Sequence, residues 1–253
     1  MSQSPESSVN YSFAGKRVLI TGGGKGLGRS LIERLYKDNA LVFTLERDAS
    51  LVEQLKKEFP KIVAEVADIS NWKQTQQLVK GFGPMDYLVN NAGIIIFEDF
   101  LNITEDQVDK IMDVDLKAVF GVTQAVARGM IANEIHGAIV NVASIGSHIA
   151  TRGTCIYNSA KAAILMLTKS VAFELGKHNI RVNSVSPTAM NTPMFKANAG
   201  ELPPDTFLNR QPLAKGQILE PDVLVNSILF LLSPLSSFTT GADIIVDGGC
   251  AAC

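Results

Sequence analysis

At 253 residues, 46% hydrophobic and 19% charged, the chain can bury a large core as one α/β domain or two small ones. A net charge of −2, with no long basic run, gives no general attraction to nucleic acid or anionic lipid, so neither nucleic acid nor membrane is an expected partner. The three cysteines, Cys155, Cys250 and Cys253, form neither a disulfide framework nor a metal or redox spacing, so incidental thiols, no metal and a reducing compartment are expected.

Residues 1–14 are polar and Ser-rich, without the apolar core of a signal peptide or the Arg spacing of a transit peptide. They read as a disordered tail ahead of one domain over 15–253, expected to be soluble and cytoplasmic. The most apolar stretches, such as Leu224 to Leu232, are too short to span a bilayer.

From Lys16 onward, short β-rich runs alternate with longer helical patterns, which predicts an α/β, doubly wound, seven-stranded parallel sheet with helices on both faces. Strands are expected near Arg17–Thr21, Leu41–Leu45, Ile62–Val66, Tyr87–Asn90, Ala138–Ala143, Arg181–Val185 and Asp243–Val246. Helices are expected over Leu27–Asp38, Ala49–Glu58, Trp72–Lys80, Glu105–Asn133, Ile156–Lys177 and Pro221–Leu232, with Thr104 and Gln107 opening the fourth as a capping box.

The first strand runs into Thr21-Gly22-Gly23-Gly24-Lys25-Gly26-Leu27-Gly28 and then a helix. Glycines let the backbone turn tightly and approach a pyrophosphate, whose charge a helix N-terminus stabilises. The spacing is TGxxxGxG rather than GxGxxG, and alone it is also compatible with a plain strand-to-helix turn.

Glu46 ends the second strand, where a carboxylate can bond the ribose hydroxyls of NAD(H) and repel the 2′-phosphate of NADP(H). NAD(H) is the favoured cofactor on that ground. NADP(H) remains open through Lys25 and Arg47, which can reach such a phosphate. After the third strand come Asp68 and Ile69, with Asp68 able to accept from an adenine amino group. Asn90-Asn91-Ala92-Gly93 closes the fourth strand beside the same crevice, at the carboxyl edge where doubly wound sheets bind ligands.

Ser144 closes the fifth strand. Tyr157 opens the following long helix and Lys161 follows at i+4, on the same helical face. Free tyrosine, with a pKa near 10, is a poor base at neutral pH, and a neighbouring cation favours its phenolate. Ser144 then holds a substrate oxygen while Tyr157 moves its proton. The walls beside the reacting carbon are expected from Ile94–Ile96, Ile145–His148, Thr151–Thr154 and Met190–Phe195, with Ser144, Ile145, Thr154, Tyr157 and Met190 touching substrate. These walls are mostly apolar, which favours an apolar alcohol or carbonyl over a sugar. His148 is the polar exception. Residues 188–217, rich in proline, read as a substrate loop.

In this order TGxxxGxG, NNAG, the strand-end serine, YxxxK and Asn183-Ser184-Val185-Ser186-Pro187 resemble the short-chain dehydrogenase/reductase family over nearly the whole chain from Gly15. Within it the chain is most similar to the dicarbonyl/L-xylulose reductase, or carbonyl reductase, branch through residues 137–144, 169–187 and the short Cys-terminated tail. The resemblance implies a Rossmann-like fold, hydride transfer between a nicotinamide cofactor and an alcohol or carbonyl, and a homotetramer or homodimer built on the two long helices around Val119, Val122, Leu165 and Val171. It assigns catalysis to Ser144, Tyr157 and Lys161, and nicotinamide contacts to Pro187, Thr188 and Thr192.

Two positions depart from the pattern. Asp115 stands where the family places an asparagine of the proton relay, losing the amide donor. Glu46 stands where that branch carries a small hydroxyl residue and uses NADP(H). Two rival functions therefore stay open: a 3-oxoacyl or 3-hydroxyacyl thioester reductase, for which Arg128, Arg152 and Lys196 are a thin basic provision, and a nucleotide-binding protein without turnover, disabled by Asp115.

Overall fold

A computed structural model describes residues 12–198, 200, 207–213 and 216–252. Its seven strands are β1 (Arg17–Thr21), β2 (Leu41–Glu46), β3 (Val63–Val66), β4 (Tyr87–Asn90), β5 (Ala138–Val142), β6 (Arg181–Pro187) and β7 (Asp243–Val246). They form one all-parallel sheet in the order β3-β2-β1-β4-β5-β6-β7. The chain reverses its direction of travel across the sheet between β1 and β4, which opens a crevice at their carboxyl ends.

Among the described residues there are eight α-helices: α1 (Gly26–Lys37), α2 (Ala49–Glu58), α3 (Trp72–Phe82), α4 (Glu105–Met112), α5 (Ala118–Ala132), α6 (Cys155–Leu175), α7 (Pro193–Asn198) and α8 (Pro221–Leu232). Strand side chains alternate between the two faces. Val18 and Ile20 pack with Leu31 and Leu35 of α1 and Ile228 of α8. Leu19, between them, packs on the opposite face with Val79 of α3 and Val122, Val126 and Met130 of α5. Burial on both faces explains why the central strands read as continuous apolar runs.

A buried polar ladder crosses the second layer. The Asn90 amide donates to Thr123 Oγ1 (2.9 Å) and Asn141 Oδ1 (2.8 Å), and the Asn141 amide donates to Thr168 Oγ1 (2.9 Å). It ties α5 and α6 to the strands whose ends carry the cleft, so those ends are held in register.

Three sequence expectations change. The helix expected over Glu105–Asn133 starts at its capping box but is split by a π-helical turn, Asp113–Lys117, into α4 and α5. Such single-turn bulges rotate a helix face to serve a local site. The tail expected over 1–14 falls mainly on residues 1–11, outside the described residues, while Phe13 is buried edge-on against Tyr87, because its ring completes the core beneath β1 and β4. Of the residues expected at an oligomer face, Val119 and Val122 lie in the core, and the exposed large apolar side chains of α5 and α6 are Phe120, Ile131, Met166 and Phe173. The helical period marks both faces as apolar and so cannot tell core from contact surface.

In the 188–217 stretch, α7 and a 3-10 turn, Phe207–Arg210, supply structure, and a parallel bridge joins Met190 to Leu219. Pro203 and Pro204 lie outside the described residues, as does Cys253. No helix among the described residues is long and apolar enough to cross a membrane.

Candidate active site

A cleft of ≈ 540 Å³ opens at the carboxyl edge of the sheet. Its walls bring together Gly22, Lys25, Gly26, Leu27, Glu46, Arg47, Asp68, Ile69, Asn91, Ala92, Gly93, Asp115, Ser144, Ile145, Thr154, Tyr157, Lys161, Pro187, Thr188, Met190 and Thr192. Gly28 was expected on this wall but lies behind it. A Cβ there would fall on the Gly22 carbonyl oxygen, so Gly28 serves the close packing of α1 on the turn. Gly22 takes φ +70°, the left-handed conformation such a turn needs.

The nucleotide end fits a dinucleotide on the structure's own terms. The N-cap of α1, Lys25, makes no side-chain cap hydrogen bond, so its side chain does not compete with an anion for the first-turn N–H groups. Asn91 clamps the turn: its amide donates to the carbonyls of Thr21 (2.9 Å) and Gly22 (3.0 Å), while Asn91 N and Ala92 N donate to Thr21 Oγ1 (3.0 and 3.1 Å). Glu46 is held in place, accepting from Gly24 N (3.0 Å) and Asp48 N (3.1 Å). Asp68 accepts from the Ser70 hydroxyl and N–H through Oδ1, leaving Oδ2 for another donor. At the far end Thr188 Oγ1 is buried on the cleft wall without a hydrogen-bond partner among the described residues, a position that suits a carboxamide.

The reactive end is built on β5 and α6. Ser144 takes extended backbone and caps a 3-10 turn, and its Oγ accepts from Gly146 N (3.1 Å). With that acceptor site used, the Ser144 O–H can donate to an oxygen in the cleft. Tyr157 is half-buried on the cleft wall beside Ile111, Ile156 and Ala160. Lys161 Nζ lies 5.6 Å from the centre of the Tyr157 ring and donates to the Val142 carbonyl (3.2 Å).

Asp115 is fully buried in the π turn. Its Oδ1 accepts from Ile94 N (2.8 Å) and its Oδ2 lies 3.1 Å from Lys161 Nζ. The concern that Asp115 merely loses an amide donor is therefore too narrow, because it adds a buried counter-ion to Lys161. Burial pushes the Asp115 carboxyl above the ordinary carboxylate value, against the opposing pull of Lys161 and the Ile94 N–H. Burial pulls Lys161 down, but Asp115 and Tyr157 outweigh it and hold the ammonium above the ordinary lysine value. Gly93 makes room for the pair, since a Cβ there would sit 2.9 Å from Asp115 Oδ2.

The residues expected beside the reacting carbon lie only partly on the cleft. Ile94, Ile145, Thr151, Met190 and Phe195 line it, and Phe97 and Val114 join them from segments that carry no motif. His148 does not; its Nε2 meets Asp243 Oδ2 at 2.8 Å. The Thr154 hydroxyl donates to the Thr151 carbonyl (2.9 Å), which leaves it chiefly an acceptor.

Comparison with known proteins agrees with this geometry. A family model described as "Enoyl-(Acyl carrier protein) reductase" matches residues 22–251. The chain is 45% identical to D-erythrulose reductase of Gallus gallus over 95% of its length and 97% of that protein's, and 43% identical to L-xylulose reductase of Homo sapiens over 95% and 98%. It is 42% identical to carbonyl reductase [NADPH] 2 of Sus scrofa over 95% and 98%. Among solved structures, a protein described as a short chain dehydrogenase/reductase family protein aligns with TM-score 0.87 and 30% identity over 96% of this chain and all of its own. A 3-ketoacyl-(acyl-carrier-protein) reductase from Brucella melitensis complexed with NADH aligns with TM-score 0.87 and 32% identity over 95% and 100%. The chain is an NAD(P)-dependent oxidoreductase of the short-chain dehydrogenase/reductase family, acting between alcohol and carbonyl.

Proposed function

We propose that the chain interconverts a largely apolar alcohol and its carbonyl compound, with Ser144, Tyr157 and Lys161 as its catalytic residues. The observation that carries this reading is the composition of the wall around Ser144 and Tyr157: Ile94, Ile95, Ile145, Met190, Met194 and Phe195. Beyond Ser144 and Tyr157 the polar side chains Thr151, Thr154 and Asn158 also line the cleft, and each polyol hydroxyl that meets none of them is buried unpaired at about 1–3 kcal/mol. When bound, a reduced nicotinamide supplies the hydride that reaches the carbonyl carbon. The Ser144 hydroxyl donates to the carbonyl oxygen and holds it, and the Tyr157 hydroxyl passes its proton to that oxygen as the C–H bond forms. Lys161, charged through its contact with Asp115, favours the resulting phenolate. Oxidation of the alcohol runs the same steps backward.

A second reading, reduction of a small hydroxyketone, is favoured by 43–45% identity to proteins named for xylulose and erythrulose. A turnover panel of apolar ketones, sugars and acyl thioesters separates the readings. Apolar ketones are expected to give the highest kcat/KM, by tenfold or more. Xylulose or erythrulose matching them would favour the second reading, and a thioester matching them would favour an acyl reductase. On that last point Arg152, one of the few basic groups nearby, already faces Asp99 at 3.5 Å.

For the cofactor, the fixed charge of Glu46 supports NAD(H), and Lys25 and Arg47 on the same wall support NADP(H). Two charges about 4 Å apart interact by roughly 4 kcal/mol at an effective dielectric of 20. Glu46→Ser is therefore expected to raise the NADP(H)/NAD(H) ratio of kcat/KM by about tenfold or more, measured with one ketone. No shift would remove Glu46 from the argument.

The cleft residues of 188–198 belong to the substrate loop proposed over 188–217, within one domain over 15–253. Exposed Phe120, Met166 and Phe173 on α5 and α6 support a homodimer or homotetramer through those helices. A light-scattering mass equal to the 27.2 kDa chain would contradict it. A reducing, cytoplasmic setting fits the free thiols of Cys155 and Cys250.

A further inference from the structure

We propose that His148 is a positioning residue for Ser144, acting from outside the cleft through Asp243. The proposal rests on the reading that Ser144 holds the substrate oxygen.

The link is short. Ser144 and His148 sit at opposite ends of one 3-10 turn, closed by Ser147 N donating to the Ser144 carbonyl (2.9 Å) and His148 N donating to the Ile145 carbonyl (2.9 Å). The same turn supplies the Gly146 N–H that orients Ser144 Oγ. Whatever fixes the turn therefore fixes the hydroxyl.

One flank of the turn is packed against α6, where a Cβ on Gly146 would meet the Asn158 side-chain oxygen well inside contact distance. The other flank is held by His148. Its Nε2 donates to Asp243 Oδ2 (2.8 Å) and lies 3.3 Å from Ser186 Oγ.

Asp243 is a rigid anchor. Ser184 and Ser186, at alternate positions of β6 and so on one face, donate to its Oδ1 (2.6 Å) and Oδ2 (2.8 Å). Ser184 is also its partner in the β6–β7 register, and both serines are buried. A neutral imidazole or an imidazolium supplies the needed N–H equally well, so the device does not depend on which is present. Ser186 immediately precedes Pro187 and Thr188 of the cleft wall. The network thus sets the serine and the nicotinamide end of the cleft relative to each other.

A charge-assisted bond to a fixed carboxylate restrains a loop far better than a solvated histidine would. Small displacements of a reacting group cost large factors in rate.

The test compares wild type with His148→Ala, His148→Gln, Ser144→Ala and the Ser144→Ala/His148→Ala double variant, measuring kcat with one ketone and reduced-nicotinamide affinity by fluorescence titration. His148→Ala is expected to lower kcat by about ten- to a hundredfold with cofactor affinity unchanged, which also shows the fold intact. His148→Gln, whose amide can donate in place of Nε2, is expected to recover most of it. In the Ser144→Ala background the His148 substitution is expected to have no further effect, because both act through one hydroxyl. Wild-type kcat in His148→Ala, additive losses in the double variant, or equal losses of kcat and cofactor affinity in His148→Ala and His148→Gln would overturn the proposal. Wild-type kcat in Ser144→Ala would instead overturn the reading beneath it.

Discussion

Replacing Tyr157 with phenylalanine is expected to lower kcat by about 10²- to 10⁴-fold while leaving cofactor affinity within about twofold. The substitution isolates one atom. The Tyr157 ring packs beside Ile111, Ile156 and Ala160, and phenylalanine keeps those contacts, so the protein should fold and melt like wild type. What disappears is the proton donor and acceptor on the cleft wall that Tyr157 shares with Ser144. Hydride transfer to a carbonyl without proton delivery leaves an alkoxide in a cleft from which the donor has been removed, and the barrier rises accordingly. Steady-state rates and a fluorescence titration of the reduced cofactor on the same sample separate this outcome from misfolding. A variant that retains most of its turnover would show that another group moves the proton.

Lys161→Met is expected to cost both turnover and stability, the latter by about 3–5 kcal/mol in denaturant unfolding. Methionine fills much of the lysine's volume but strands Asp115, which is 0% exposed and 3.1 Å from the lost ammonium. Only the Ile94 N–H remains to it among the groups that pull its pKa down, while burial continues to push it up. The sign of the pH dependence follows. A carboxyl whose folded pKa lies above its unfolded value contributes its full stabilisation below the unfolded value, and loses it as pH rises through the folded one. The deficit against wild type should therefore be smallest near the ordinary aspartate value of about 4 and grow toward neutral pH. A deficit independent of pH would mean that Asp115 is not the stranded charge.

The parts of the site that could be read in the sequence are those whose residue types meet a local requirement. Gly22 is demanded by its left-handed backbone, Gly28 by the approach of α1 to the turn, and Tyr157 and Lys161 by a shared helical face. Alternation of short apolar runs with helical patterns gave the sheet, because both faces are covered and the strands are apolar throughout.

What could not be read depends on contacts between distant segments. Nothing local marks the π turn that carries Asp115 to Lys161, or tells that an acidic residue at that position is an ion-pair partner rather than a damaged relay. His148 and Asp243 are 95 residues apart, and a histidine in a loop carries no sign of the carboxylate it meets. Phe97 and Val114 reach the cleft wall only because the 91–99 segment and the π turn fold against it. The exposed Phe120, which lies between the buried Val119 and Val122 in an apolar helical run, is likewise sorted only by tertiary packing.

The central claim is that this cleft transfers a hydride to a carbonyl under the control of Ser144, Tyr157 and Lys161. It is tested most directly by incubating the protein with reduced nicotinamide deuterated at C4 and an apolar ketone, and weighing the alcohol formed by mass spectrometry. The predicted result, with one C4 face labelled at a time, is an alcohol carrying one deuterium on the former carbonyl carbon from one face only, formed far more slowly by Tyr157→Phe. Alcohol without the label, or labelled alcohol formed equally fast by wild type and Tyr157→Phe, would contradict it.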